Sequence, residues 1–109
     1  MGSLMYLLIH CTCPSQDVAE QIAAALVKAK LAACTNILPG SVSLYEWQGV
    51  LEKTQEHLLL IKSREDCYPA VEALIKTMHP YQLPEIIAVA ITHASPDYLQ
   101  WIDSCLLIN

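Results

Sequence analysis

Two cysteines two residues apart, and a histidine just ahead of a proline, are the residues of this chain best suited to chemistry. Cys11 and Cys13 alternate onto one face of a strand beside Ile9, about 6.6 Å apart by strand rise, which disfavours an unstrained bond between them. As thiolates they offer soft ligands to Cu(I). Burial as a small apolar residue is the plainer role for Cys13, as it is for Cys34, Cys67 and Cys105. His79 stands at a helix end before Pro80, followed by Tyr81 and by Glu85 at the start of a strand, and imidazole suits copper or zinc. Its plainer role is to cap that helix and favour its dipole. A Gly-rich phosphate loop, HExxH, CxxC and a nucleophile elbow are all absent, so no catalytic residue is assigned and the chain reads as a non-enzyme. His79 and Glu85 as acid and base would lack any nucleophile or cofactor motif beside them. Lys62 and Arg64 at a strand end read as solvated charges, and His10, His57 and His93 receive no role, His57 being placed in an exposed polar run.

The element that must position these groups is a long hairpin. Cys34 to Trp47 and Val50 to Lys62 flank the turn Gln48-Gly49, where Gly supplies the positive φ of a tight turn. About 13 residues at roughly 3.3 Å each reach about 43 Å, whereas a compact domain of this size is about 34 Å across. The hairpin therefore outruns its own domain. Pro39-Gly40 should bend or bulge its first strand. Tyr45 and Trp47 lie on the far half, opposite the polar run from Glu52 to His57, and they suit an arm covered by another copy of the chain. A long uncovered edge invites pairing, so a closed homo-oligomer is expected.

The remaining chain reads as one domain over residues 1–109, with Met1-Gly2-Ser3 compatible with a cloning remnant ahead of Met5. Leu4 to Cys13 is a central strand ended by Pro14. Ser15 caps a helix with Val18, Ile22, Ala25, Leu26 and Ala29 as its apolar stripe. A second helix starts near Asp66, carries Val71, Leu74, Ile75 and Met78 on one face, and stops at His79-Pro80. Ile86 to Ile91 is a buried strand, and Ser95-Pro96-Asp97 starts a short helix with Tyr98, Trp101, Ile102 and Cys105 inward. Strand, helix, strand, strand, helix, strand is the α+β ferredoxin-like order, with helices on one face of an antiparallel sheet. Trimerisation, sheet face against sheet face, would cover the other.

Composition limits the partners. The chain is 54% hydrophobic and 16% charged, rich in apolar residues for a 109-residue monomer. A net charge of −5 and six scattered Lys and Arg oppose nucleic acid and anionic membranes. No apolar run approaches a membrane span, and five scattered cysteines fit reduced thiols in the cytoplasm.

Four motifs in register carry a resemblance over about Leu7 to Ile102. Leu31-Ala32-Ala33-Cys34 leads into Asn36-Ile37-Leu38-Pro39-Gly40. Ser43 to Gly49 reads SLYEWQG, His79 to Glu85 reads HPYQLPE, and Pro96 to Trp101 reads PDYLQW. Together they resemble the CutA divalent-cation tolerance family. The resemblance implies a ferredoxin-like homotrimer with crossing arms, similar in architecture to PII signalling proteins, and a role in tolerance of copper and other divalent metals. It further implies a copper-binding set at Cys11 and His79, with Glu85 a hallmark; Met78 stands where some members carry a second His, and a thioether is a weaker substitute. The expected function is metal binding with no obligatory cofactor, copper or another divalent cation being the ligand. The alternative is a PII-like scaffold that binds a small molecule or partner protein in the clefts between subunits.

Overall fold

The computed structural model describes residues 4–107, so Met1-Gly2-Ser3 lies outside the described residues. Its elements run β1 (Tyr6–Cys13), α1 (Gln16–Lys28), β2 (Cys34–Trp47), β3 (Val50–Arg64), α2 (Tyr68–Met78), β4 (Ile86–Ala90) and α3 (Pro96–Cys105). The strands form one antiparallel sheet in the order β2-β3-β1-β4. The chain is α+β, and its principal extents of 47 × 25 × 22 Å follow from the hairpin.

That hairpin pairs without interruption from Trp47↔Val50 to Ser41↔Glu56, shifts register between Leu38 and Ser41, and pairs again to Cys34↔Lys62. The shift is the bulge expected at Pro39-Gly40, where Gly40 takes φ 82. At the tip, Gln48 (φ 52) and Gly49 (φ 81) are both left-handed, the mirror-image turn whose twist matches that of paired strands.

β1 alternates. Leu7, Ile9, Cys11 and Cys13 face the helices and are buried against Leu59, Ile61, Ile22 and Ile75. Ser15 caps α1 by accepting from the Val18 backbone N–H at 3.2 Å. The buried stripe of α1 is Ala19, Ile22, Ala23 and Leu26, so the expected face is rotated: Val18 and Ala25 are half-buried and Ala29 is exposed. Small alanines on the inner line fit where the helix meets the sheet.

Three further expectations are corrected. α2 begins at Tyr68 because both oxygens of Asp66 accept from Arg64, at 2.7 and 2.8 Å, and none caps the helix. β4 is an edge strand exposed along most of its length, Ile87 by 53% and Val89 by 48%. In α3 only Ile102 is fully buried; Tyr98 and Trp101 are exposed and lie against each other, ring centroids 5.5 Å apart. Ser95 does cap that helix, accepting from Tyr98 N–H at 3.2 Å. Arg64, buried at the end of β3, also donates to Asp103 of α3 at 2.8 Å, and the Tyr6 hydroxyl donates to the same carboxylate at 2.7 Å. Among the described residues no helix is long and apolar enough to cross a membrane.

Candidate metal centre

Pro80 forces the residue before it out of the helical region. His79 accordingly ends α2 in extended conformation (φ −77, ψ 134), its backbone N–H still bonded to Ile75 O at 2.8 Å. This turns the ring back toward the end of β1. The ligand atoms of Cys11, Cys13 and His79 all lie within 4.8 Å of one another, and all three residues are buried. The five thiols of the chain are free.

Geometry fixes the imidazole tautomer. A backbone N–H only donates, so Nδ1 of His79 accepts from Tyr81 N–H at 3.1 Å; a carbonyl only accepts, so Nε2 donates to Thr12 O at 2.7 Å. Both ring nitrogens are therefore engaged. His79 acts as a latch between the end of α2 and β1, with the Tyr81 ring against it at 4.7 Å. The thiols are coupled as well. The Cys11 thiol donates to the Thr12 carbonyl at 3.9 Å, and the neighbouring Cys13 thiol, with burial behind it, pushes the Cys11 thiol well above its ordinary pKa. The same neighbour relation holds the Cys13 thiol lower.

On the opposite face of the sheet, a cleft of about 820 Å³ opens between the hairpin arm and the 80–85 segment. Thr12, Tyr45, Trp47, Glu56, Tyr81 and Glu85 are among its walls. Glu56 is nine-tenths buried, yet both its oxygens are satisfied: Ser43 Oγ donates at 2.6 Å and the Tyr81 hydroxyl at 2.7 Å. Burial, then this carboxylate, raises the Tyr81 pKa.

The residues singled out in the sequence thus divide. Cys11 and His79 meet in the cluster. Glu85 lies in the cleft wall instead, where its charge reaches the Cys11 thiol. Met78 is 38% exposed, unlike the three buried residues. Tyr45 and Trp47 line the cleft while remaining about 40% exposed. Cys13, read as core filling, belongs to the cluster; its two-residue spacing from Cys11 was the available signal. Glu56 was hidden in a polar run, and nothing in its sequence neighbourhood marks it as buried.

The CutA1 divalent ion tolerance protein family matches residues 7–105. The chain belongs to this family. A divalent-cation tolerance protein CutA of Thermus thermophilus is 46% identical over 91 residues, 84% of this chain and 88% of that protein. Mouse protein CutA is 41% identical over 91 residues, and there the chain spans only 51% of the relative. Among solved structures, CutA1 from Oryza sativa superposes with a TM-score of 0.94 at 33% identity, covering 98% of each chain. A CutA from Archaeoglobus fulgidus, described as a periplasmic divalent cation tolerance protein, gives 0.90 at 38% identity over 93% of this chain and 98% of that one. The CutA1 family is named for tolerance of divalent ions, and a buried group of two soft sulfurs and an imidazole fits a soft metal ion.

Proposed function

We propose that this CutA1 chain is a ferredoxin-like homotrimer of the cytoplasm that serves metal tolerance by binding copper or another divalent metal, without enzymatic chemistry. The observation that carries the reading is the buried Cys11, Cys13 and His79 cluster, one strand's thickness from the cleft. Glu85 and Glu56 give the path to it a negative field that draws cations. Support for the trimer comes from the sheet face without helices. It exposes Leu38, Ile87 and Val89, together with an arm longer than the body, and apolar area of that kind belongs to interfaces. The strand order β2-β3-β1-β4 supports the ferredoxin-like description. Five free thiols favour a reducing compartment.

Native mass spectrometry of reduced protein, with one equivalent of copper per chain, tests both halves. A trimer that takes up copper and loses it in Cys11→Ala is the expected result. A monomer refutes the assembly; uptake unchanged in Cys11→Ala refutes the site.

The size of the cleft favours one second reading, a PII-like module that binds a small molecule there, between Tyr45, Trp47 and Tyr81. A thermal-shift screen with nucleotides and metabolites separates the two, since stabilisation by a metabolite and none by metal selects the second.

A further inference from the structure

We propose that the cleft between the hairpin arm and the 80–85 segment binds an aliphatic polyamine, its ammonium groups paired with Glu52, Glu56 and Glu85 and its methylene stem laid along Tyr45 and Trp47. The inference rests on the second reading, that the cleft holds a small molecule, and it names the class of that molecule; the thiol cluster takes no part in it.

The walls decide the sign of the charge. Three of the residues around this cavity of about 820 Å³ are glutamates, and none is Lys, Arg or His. Lys53 follows Glu52 in sequence but lies on the other face of β3 by strand parity. A nucleotide or other anion would therefore meet carboxylates without the basic partners that phosphate recognition uses. A cleft lined by one sign of charge focuses its field and concentrates ions of the other sign.

Spacing decides the kind of cation. Glu52 and Glu56 stand four residues apart on β3 and so share a face, and a rise of roughly 3.3 Å per residue separates them by about 13 Å. A metal ion reaches oxygens only about 2.0–2.6 Å away. Among the described residues, the group of acidic, thiol or imidazole side chains that gathers within 4.8 Å is Cys11, Cys13 and His79, so the carboxylates of the cleft do not converge on one ion. A flexible chain with an ammonium group at each end spans them instead. Tyr45 is the cross-strand partner of Glu52, and Trp47 lies two residues further along the same face. Both rings are about 40% exposed, and aromatic faces attract ammonium groups while covering methylene stems. Glu56 supplies the fixed end. Ser43 and Tyr81 each occupy one acceptor position on its two oxygens, a carboxylate has about four, and its burial leaves little water to compete with an ammonium group.

The experiment is calorimetric titration of spermidine into the reduced, full-length protein at about 0.15 M salt, where diffuse attraction to an acidic surface is screened, with ATP and magnesium chloride as further arms. Native mass confirms that each variant keeps the wild-type assembly. One saturable spermidine site per chain is expected, weakened about tenfold in Glu52→Gln and about fivefold in Trp47→Leu. Glu46→Gln removes the same charge from the opposite face of the arm and should stay within about twofold of wild type. Glu52→Gln binding like wild type overturns the assignment, as do equal losses in Glu46→Gln and Glu52→Gln or the lack of a saturable spermidine site. Displacement of spermidine by an equimolar amount of magnesium overturns the choice of an organic cation. Binding of ATP in place of spermidine overturns the polyamine and keeps the cleft as a ligand site; when neither binds, the reading of the cleft falls with it.

Discussion

Tyr81→Phe removes a single hydroxyl, and the structure says what that hydroxyl supports. It donates to Glu56 Oε2 at 2.7 Å, while Ser43 serves Oε1 at 2.6 Å. Glu56 is 4% exposed, so solvent screening is slight and water does not simply replace the lost donor. A hydrogen bond to a charged group contributes about 1.5–3 kcal/mol net. Taking about 2 kcal/mol, with an unfolding entropy of about 2.1 cal/mol/K per residue over 109 residues, the melting temperature should fall by about 9 °C. A double-mutant cycle with Glu56→Leu isolates the pair, because both single changes delete the same bond. Thermal unfolding of the four proteins at one fixed chain concentration gives the coupling, expected at about 1.5–3 kcal/mol. Additivity within about 0.5 kcal/mol would refute the claim that this bond fixes the 80–85 segment on the arm.

At the hairpin tip, Gln48→Asn should raise stability by about 0.5–1 kcal/mol, since Asn tolerates the left-handed φ of 52 that Gln occupies under strain; an unchanged urea midpoint would contradict it. Asp66 is held below the usual carboxylate range by Arg64, so its contribution is fully present above the unfolded pKa and is lost as pH falls through the lower, folded one. Asp66→Asn should therefore flatten the acid limb of the stability profile, below the ordinary carboxylate range, while lowering stability at pH 7. Tyr45→Ser with Trp47→Ser should reduce oligomer content or melting temperature, read by native mass and thermal scan, whereas values equal to wild type would remove the arm from the interface.

The hairpin was legible in the sequence because its evidence is local: β-forming runs, a Gln-Gly turn and a Pro-Gly bulge, each acting within a few residues. β3 extends only from Lys62 to Arg64 beyond the reading. What covers an apolar face is not local. Tyr98, Trp101, Ile87 and Val89 have the pattern of core residues, yet a single chain has no layer to place over them. Pattern identifies a face that needs burial and leaves open whether the same chain supplies it. The thiol site was half legible for a similar reason. Strand parity puts Cys11 and Cys13 together, but only the path of α2, and the turn that Pro80 imposes, brings His79 to them. Glu56 stood among Glu52, Lys53 and Gln55, and became a buried acceptor because Ser43 and Tyr81 converge on it from two other segments.

Parity along β1 also separates two tasks by a single residue. Cys11 and Cys13 point to the helices, Thr12 to the cleft, and His79 is bonded to the Thr12 carbonyl between them. A metal ion that took His79 as ligand would break the bond to Thr12 or the bond from Tyr81, at about 0.5–1.5 kcal/mol each. It would thereby loosen the segment that walls the cleft. Binding free energies are reciprocal. A cleft ligand that displaces Tyr81 must therefore alter copper affinity if His79 is a ligand. Copper titration of wild type and His79→Gln, in the presence and absence of whatever small molecule stabilises the cleft, separates a chain in which the two sites communicate from one in which they share only a strand.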